Sequence, residues 1–386
     1  LLKKNGYFNM AFVTNPLASS RRLNINNSYD IAPSVITFSV PRALIGDGAE
    51  SIGKIDKLLY ELFADKIKEH NWIISEGFIL RKLLSFVVSD VTLTTVPPDK
   101  VFNDFEAVLD SDYPEPYFAW IHVYPPHIPY LPPESYVGMF DNSLKLRTYK
   151  KQRNVYDSRT KYYEYENFPD EIQPSIDTLR ARYDEFIRYC DKEFENFINQ
   201  LNKKNKLDNT VVIVSADHGQ SFEHAYLAHM GPHLYEQVTN IPLIIKEPAQ
   251  SKGMFINDLV DQVDIPATIA DFAGIPPSSW FEGGSLIPVM RGNHLKPRAT
   301  FSMNLDKNKG LGMEIKKGTF AVWEGDYKLI HYLEENKSLL FNLKEDRDEM
   351  HNIIDERPEI GRHLLDLIYD NLKEINKRNK KESESG

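Results

Sequence analysis

One segment, Val211–Ile245, constrains the fold of this chain more than any other; it reads VVIVSADHGQSFEHAYLAHMGPHLYEQVTNIPLII. It begins with an apolar run, Val211–Val214, which predicts a buried strand. The run stops just before Asp217, His218 and Gly219. Open α/β sheets hold metals and anions at such strand ends, where a glycine lets the backbone come close. The segment therefore predicts an α/β sheet with a metal-dependent site at the end of this strand.

Further polar residues follow the first strand. His224, His229 and His233 lie in the same connection, and a second apolar run, Pro242–Ile245, predicts another strand. A carboxylate and an imidazole side by side are ligands suited to a divalent cation. Taken alone, the Asp-His pair could equally cap the following turn and bond to loop backbone.

The segment resembles the C-terminal half of the sulfatases, which belong to the alkaline phosphatase superfamily. That family has a strand ending in Asp-His-Gly or Asp-Asn-Gly, a loop with histidine and glycine, a Leu-Tyr-Glu turn and a second strand. Four other segments match the family in the expected order: Tyr124–Pro133 (YPPHIPYLPP), Val263–Ile275 (VDIPATIADFAGI), Gly284–Gly292 (GSLIPVMRG) and Gly325–Leu343 (GDYKLIHYLEENKSLLFNL). Their joint occurrence makes the resemblance specific.

The chain departs from the family at its start. Sulfatases begin with a strand that carries two adjacent metal-binding aspartates. A nucleophile follows: a cysteine or serine converted to formylglycine, or a threonine or serine in phosphoryl-transferring relatives. Neither element occurs here, and Leu1–Pro16 (LLKKNGYFNMAFVTNP) already resembles a later part of the family. The resemblance therefore implies a fragment that lacks the first strand and the formylglycine nucleophile; a natural variant without that region is the alternative.

The resemblance implies roles for five residues. Asp217 and His218 would ligate the divalent cation, and His229 would contact the transferred group and help the leaving oxygen depart. His233 competes with His229 for this role, because the spacing to the following turn varies among relatives. His127, in the proline-rich loop, matches a second substrate-facing histidine. Cations or general acids at these positions would neutralise charge that develops on sulfuryl or phosphoryl oxygens.

The family makes Ca²⁺ the expected ion. His218 stands where many sulfatases carry asparagine, and an imidazole is a softer ligand than an amide oxygen, so Mn²⁺ and Zn²⁺ are the alternatives. The resemblance gives His224 no firm role. Tyr235 and Glu236 are expected to fix the turn that presents His229.

Composition argues against several other classes of protein. The net charge is −10 over 386 residues, whereas non-specific nucleic-acid binding needs a basic face. No apolar run approaches the roughly 20 residues of a membrane span. A single cysteine, Cys190, excludes an internal disulfide. We expect a small-molecule or glycan sulfate ester as the partner; the compartment and the oligomeric state stay open.

Strand and helix patterns predict two domains. Residues 1–275 would form an alkaline phosphatase-like α/β domain, with a mixed, mainly parallel sheet between helices, and residues 276–386 a small antiparallel β-meander with a final helix. The predicted strands are 7–13, 118–123, 211–214, 242–245, 319–322, 327–333 and 339–342. The predicted helices are 54–69, 76–89, 99–109, a long one after Pro174, 263–275 and 357–372, before a disordered tail at 373–386.

Several charged stretches have two interpretations. Residues 141–173 are rich in Tyr, Lys and Arg, and we interpret them as a solvated surface excursion, with a basic lid over an anionic substrate as the alternative. Lys296, Arg298 and Lys328 are interpreted as surface charges, with a place in a substrate pocket as the alternative.

The sequence thus predicts that the intact protein is a metal-dependent sulfuric ester hydrolase. One alternative is a phosphodiester or phosphonate monoester hydrolase, or a phosphoethanolamine transferase, on the same fold; the nucleophile would separate these. Another is a catalytically inactive, sulfatase-like binding protein, which should bind a divalent cation only weakly. Nucleotide binding has no support, because the sequence contains neither a GxGxxG nor a P-loop pattern.

Overall fold

The computed structural model describes residues 1–15, 18, 23, 25–32, 96–143, 145–158, 167–305, 308 and 314–385. The chain divides into two compact units: Leu1–Thr160 with Pro169–Lys206, and Lys161–Phe168 with Leu207–Gly386. The predicted helices at 54–69 and 76–89 lie outside the described residues. The predicted domain boundary after residue 275 stays a prediction.

The first unit contains a parallel pair of strands. β1 (Phe8–Val13) pairs along its whole length with β2 (Tyr117–His122). A parallel pair needs a crossover connection, and helix α1 (Pro98–Leu109) is part of it. Phe105 of α1 packs edge-on against Phe12 of β1, with ring centroids 5.5 Å apart. Both strands lie within one residue of the predicted bounds.

Helix α2 (Tyr149–Ser158) refines the interpretation of residues 141–173 as a solvated surface excursion, because the described part of this segment includes a helix. Its Gln152 side chain is fully buried, although most of the helix is polar and exposed. A buried amide needs hydrogen-bond partners, so Gln152 anchors an otherwise exposed helix to the protein.

Helix α3 (Gln173–Lys203) is the long amphipathic helix that the sequence predicts. It packs on α1, where the rings of Phe102 and Phe197 stack with centroids 4.5 Å apart. Cys190 lies half-buried on α3, and burial raises the pKa of its thiol to about 12. A thiol with so high a pKa carries almost no thiolate at neutral pH, which agrees with a packing role.

The second unit begins with an antiparallel pair. β3 (Val212–Ser215) pairs with β4 (Leu243–Lys246), with Ile213 opposite Ile245. Each strand starts one residue later than predicted. The connection between them carries the predicted site residues and ends in a one-turn helix, α4 (Glu236–Thr239).

Two helices, α5 (Asp264–Phe272) and α6 (Ile287–Met290), precede a four-stranded antiparallel sheet. Its strands, in spatial order, are β5 (Thr300–Asn304), β6 (Thr319–Glu324), β7 (Tyr327–Tyr332) and β8 (Lys337–Asn342). The three-stranded meander predicted from the sequence is confirmed. β5 lies outside the predicted strands, although its TFSMN stretch alternates apolar and polar residues.

The C-terminal helix α7 (Pro358–Ser385) packs on this sheet. Its buried apolar residues are Leu364, Ile368 and Leu372. The helix continues far beyond residue 372, so the expectation of a disordered tail at 373–386 is wrong as far as Ser385. One reason is that the Asn376 amide bonds to both main-chain groups of Ile315, at 2.7 and 3.2 Å. None of the described helices is long and apolar enough to cross a membrane.

Together these elements confirm the predicted mixed α/β fold class with a C-terminal antiparallel sheet and helix. Among the described pairs, β1–β2 is parallel and the others are antiparallel.

Candidate active site

The carboxyl end of β3 leads directly into the predicted metal ligands. Asp217 lies two residues beyond the strand, and its Oδ1 accepts a hydrogen bond from the main-chain N–H of His218 at 3.0 Å. The same oxygen is 3.7 Å from Nε2 of the His218 ring. Both side chains are open to solvent, with exposed fractions of 54% and 35%, so a ligand can reach them.

The orientation of the His218 ring suits metal binding. Its Nδ1 lies 2.8 Å from the carbonyl oxygen of Gly219, which can only accept, so in the neutral ring Nδ1 carries the proton. The Nε2 lone pair is then directed to the side of the Asp217 carboxylate. A ligating histidine usually donates its other N–H to a carbonyl or carboxylate in this way. These two residues therefore fit a divalent cation, as a carboxylate oxygen and an imidazole nitrogen.

Gly219 lets the loop turn against α4. A Cβ atom at this position would lie 2.2 Å from the carbonyl oxygen of Gln237, far inside van der Waals contact. The Gly219 N–H also donates to the carbonyl of Val238 at 2.8 Å. Any side chain at this residue would push the loop and the Asp-His pair away from α4.

His229 joins the Asp-His pair through its ring. The imidazole rings of His218 and His229 stack, with centroids 4.3 Å apart and planes inclined by 4°. Nδ1 of His229 lies 2.9 Å from Oε1 of Gln220, a side-chain oxygen that accepts the ring proton. Three of the predicted site residues are thus assembled at one strand end.

His233 has different surroundings. Its Nδ1 lies 2.8 Å from the hydroxyl of Tyr332 on β7, and its ring meets Tyr226 edge-on with centroids 4.7 Å apart. Burial, together with the positive charges of His224 and Lys337, lowers the pKa of His233 to about 4. At neutral pH it is therefore an uncharged ring packed among tyrosines, which favours His229 over His233 as the substrate-facing residue.

His224 supports the loop. Its ring stacks on Tyr235 with centroids 4.0 Å apart, and its Nε2 lies 2.9 Å from the main-chain oxygen of Asp348. Burial lowers the pKa of His224 from its ordinary value. These contacts give it a structural role.

A buried charge cluster fixes the turn that follows His233. Nζ of Lys328 lies 2.7 Å from Oε1 of Glu349 and 3.0 Å from Oε1 of Glu236, and it lies over the ring of Trp323 at 4.7 Å. Glu349 in turn accepts the main-chain N–H of Glu236. Burial raises the pKa of Glu349, while the Lys328 ammonium opposes this. The turn is therefore tied to the four-stranded sheet by charges that have little access to water.

Lys328 corrects a second interpretation, since its side chain is fully buried rather than a surface charge. The sequence holds a signal for this. Along a strand, alternate residues share a face, so Lys328 lies on the same face as Ile330 and Tyr332. Both of these are buried in one apolar cluster with Leu234.

His127 belongs to the first unit, in the loop after β2. Its Nδ1 lies 2.8 Å from the carbonyl of Ile128, and its ring stacks on Tyr124 with centroids 4.4 Å apart.

Within the described residues no group of three or more His, Cys, Asp and Glu side chains gathers as a metal site. Asp217 and His218 would therefore supply only part of the ligands that a bound cation needs.

Two family models match the chain. The Sulfatase model matches residues 54–275, more than half of the chain, and the model for the N-sulphoglucosamine sulphohydrolase C-terminal region matches residues 223–378.

Curated relatives carry sulfatase names. Human arylsulfatase K is 30% identical over 198 residues, covering 48% of this chain and 35% of the relative. The N-acetylglucosamine-6-O-sulfatase of Bacteroides thetaiotaomicron is 22% identical over 361 residues, covering 76% of this chain and 63% of the relative. The chain thus spans about a third of the length of the first relative and under two thirds of the second.

Solved structures show the same fold. One, described as bound to its substrate D-glucosamine-2-N,6-O-disulfate, superposes with a TM-score of 0.56 at 20% identity, covering 75% of this chain and 71% of that one. The phosphonate monoester hydrolase of Silicibacter pomeroyi superposes with a TM-score of 0.61 at 18% identity, covering 98% of this chain and 79% of that one.

Proposed function

We propose that this chain, which belongs to the sulfatase family, is part of a metal-dependent enzyme that hydrolyses sulfate esters, with sugar sulfates as the first substrates to test. The observation that carries the proposal is the assembly of Asp217, His218 and His229 at the end of β3. A carboxylate, an imidazole and a second, stacked imidazole supply metal ligands and a proton donor within one short loop.

Sulfatases generally use a divalent cation and a formylglycine nucleophile. Asp217 and His218 would hold the cation in this chain. When bound, the cation would neutralise negative charge on the ester oxygens and activate the nucleophile. No other described residue is assigned as a metal ligand or as the nucleophile.

His229 would act on the leaving group. Its Nδ1–H is donated to Gln220, so the other ring nitrogen carries a proton only in the doubly protonated ring. In that form Nε2 would donate its proton to the departing oxygen, which leaves the neutral ring with its proton on Nδ1. The stacking contact with His218, a proposed metal ligand, fixes the plane of the His229 ring. His127 would be a second donor to the substrate oxygens, as the resemblance implies.

The deciding experiment uses the intact protein and three substrates: p-nitrophenyl sulfate, N-acetylglucosamine 6-O-sulfate and a phenylphosphonate monoester. We expect turnover of a sulfate ester, loss of activity in Asp217→Asn, and a fall in kcat of about 10²–10⁴ in His229→Gln. The matched control is His294→Gln, because the side chain of His294 is 91% exposed.

Other outcomes would favour the alternatives. Preferential turnover of the phosphonate monoester would indicate a phosphoryl-transferring enzyme on this fold. Binding of the sugar sulfate without turnover of any ester would indicate a sulfatase-like binding protein. Full activity in His229→Gln would remove His229 from the proposed mechanism.

A further inference from the structure

We propose that residues 145–153 form a preformed surface that binds the anionic chain of a sulfated glycan, through Lys145, Lys150 and Lys151. We call this surface the basic platform. The inference rests on the proposed function, which supplies the class of ligand, a sulfated sugar.

The basic platform is a local excess of positive charge on an acidic protein. Its sequence, KLRTYKKQR, contains five basic residues and no acidic one, whereas the whole chain has a net charge of −10. Three of the five cations are exposed and have no salt bridge among the described residues: Lys145, Lys150 and Lys151.

The other two cations are neutralised by neighbouring carboxylates. Arg147 pairs with Glu134, and Nε of Arg153 lies 2.8 Å from Oδ2 of Asp157. The cations available to a ligand are therefore the three lysines, all of which precede Gln152 in the sequence.

Two buried charges hold the backbone at the start of the platform. Arg182 and Glu185 on α3 are fully buried and pair at 2.6 Å. Glu185 accepts the main-chain N–H of Gly138 at 2.7 Å. Arg182 donates to the main-chain oxygens of Asp141, Ser143 and Lys145. Burying an ion pair carries a large desolvation cost, and a merely solvated loop would not require it.

Gln152 fixes the other end of the platform. Its Oε1 accepts the N–H of Tyr130 at 2.7 Å, and its Nε2 donates to the carbonyls of Tyr130 and Leu146 at 2.7 and 2.8 Å. Tyr130 follows His127 by three residues in the same loop. The Gln152 side chain thus ties the backbone next to Lys145 to the loop of the proposed substrate-facing histidine.

The positive charge of the basic platform indicates which class of ligand it binds. Lysine ammonium groups bind sulfate and carboxylate as point charges, and a backbone already fixed by buried polar groups spares the cost of ordering it on binding. A short sulfated glycan matches a patch of three cations. A long nucleic acid would extend onto a surface whose net charge repels it.

The test measures binding of a fluorescent sulfated tetrasaccharide to this chain by anisotropy at low salt. Lys150→Gln combined with Lys151→Gln should weaken binding about tenfold, as expected for two lost surface charge contacts. The matched control, Lys203→Gln with Lys252→Gln, makes the same change in net charge at exposed lysines elsewhere and should alter binding less than twofold.

A third variant tests whether binding depends on the fixed backbone of the platform or only on its net charge. Gln152→Leu leaves the net charge unchanged but removes three hydrogen bonds, and it should also weaken binding several-fold. If this variant does not fold, the two lysine pairs decide the proposal alone.

Three results would overturn the proposal: no binding by the wild-type chain, equal losses in the two lysine pairs, or equally tight binding of a single-stranded oligonucleotide of the same charge. Because binding is measured on this chain, the answer does not depend on whether the intact protein turns over sulfate esters.

Discussion

The His218 ring lies flat on the His229 ring, with centroids 4.3 Å apart and planes inclined by 4°. This contact joins the proposed metal ligand to the proposed proton donor without an intervening residue. A change at one ring must therefore reach the other, so that occupation of the metal site can be followed through the NMR signals of His229.

The first prediction concerns metal affinity. We expect this chain to bind Ca²⁺ or Mn²⁺ weakly, with a Kd of about 10⁻⁴ M or above, because the described site offers only two ligands. Asp217→Asn should weaken binding further, by at least about tenfold, because it removes the charged ligand. Isothermal titration calorimetry measures the affinity. Asp208→Asn is the matched control at an exposed carboxylate before β3; equal affinities of the two variants would mean that Asp217 is not a ligand.

The second prediction concerns Gly219. Gly219→Ala places a methyl group 2.2 Å from the carbonyl of Gln237, so the loop must shift and the stability should fall by about 1–3 kcal/mol. The His218–His229 contact should change at the same time, visible in imidazole NMR shifts. Gly253→Ala is the control, because a Cβ there meets nothing within 4 Å. Unchanged stability in Gly219→Ala would show that the loop has another way to accommodate a side chain.

The third prediction concerns the buried cluster of Lys328. Lys328→Met leaves Glu349 buried without its cation, which should cost about 3–5 kcal/mol. Urea unfolding followed by tryptophan fluorescence measures the loss, since Trp323 lies beside the lysine. Lys344→Met on the same unit removes an exposed pair with Asp326 and should cost at most about 1 kcal/mol. Similar losses in both variants would contradict a stabilising role of the buried cluster.

The fourth prediction concerns pH. Burial lowers the pKa of His233 to about 4 in the folded protein, against an ordinary value of 6.5. Between pH 6.5 and pH 4, His233 is therefore protonated in the unfolded chain but not in the folded chain. The contribution of His233 to stability is complete above pH 6.5 and is lost as the pH falls towards 4.

This contribution is measured as the difference in unfolding free energy between the wild type and His233→Gln. We expect the difference to shrink by about 2 kcal/mol between pH 7.5 and pH 5. A pH-independent difference would mean that His233 titrates normally in the folded state.

Much of the site's framework follows from local patterns. An apolar run followed by Asp-His-Gly predicts β3, the residue at which it ends, and the position of Asp217 and His218 just beyond it. These features depend on the pattern of apolar residues and on a glycine, both of which can be read from a few neighbouring residues. The same holds for β4 and for the meander of β6 to β8, whose strands lie close to their predicted bounds. The resemblance to the sulfatases depends on the same short segments.

Only the tertiary structure showed that His229 and His233 have different surroundings, and which polar side chains are buried. His229 lies on His218, whereas His233 is held by Tyr332 from another sheet. Lys328 is buried between carboxylates, and Gln152 pairs with the backbone of Tyr130. The physical reason is that the pKa of an ionisable group, and the burial of any polar side chain, depend on partners far away in sequence, whereas local patterns specify only which face of an element is apolar.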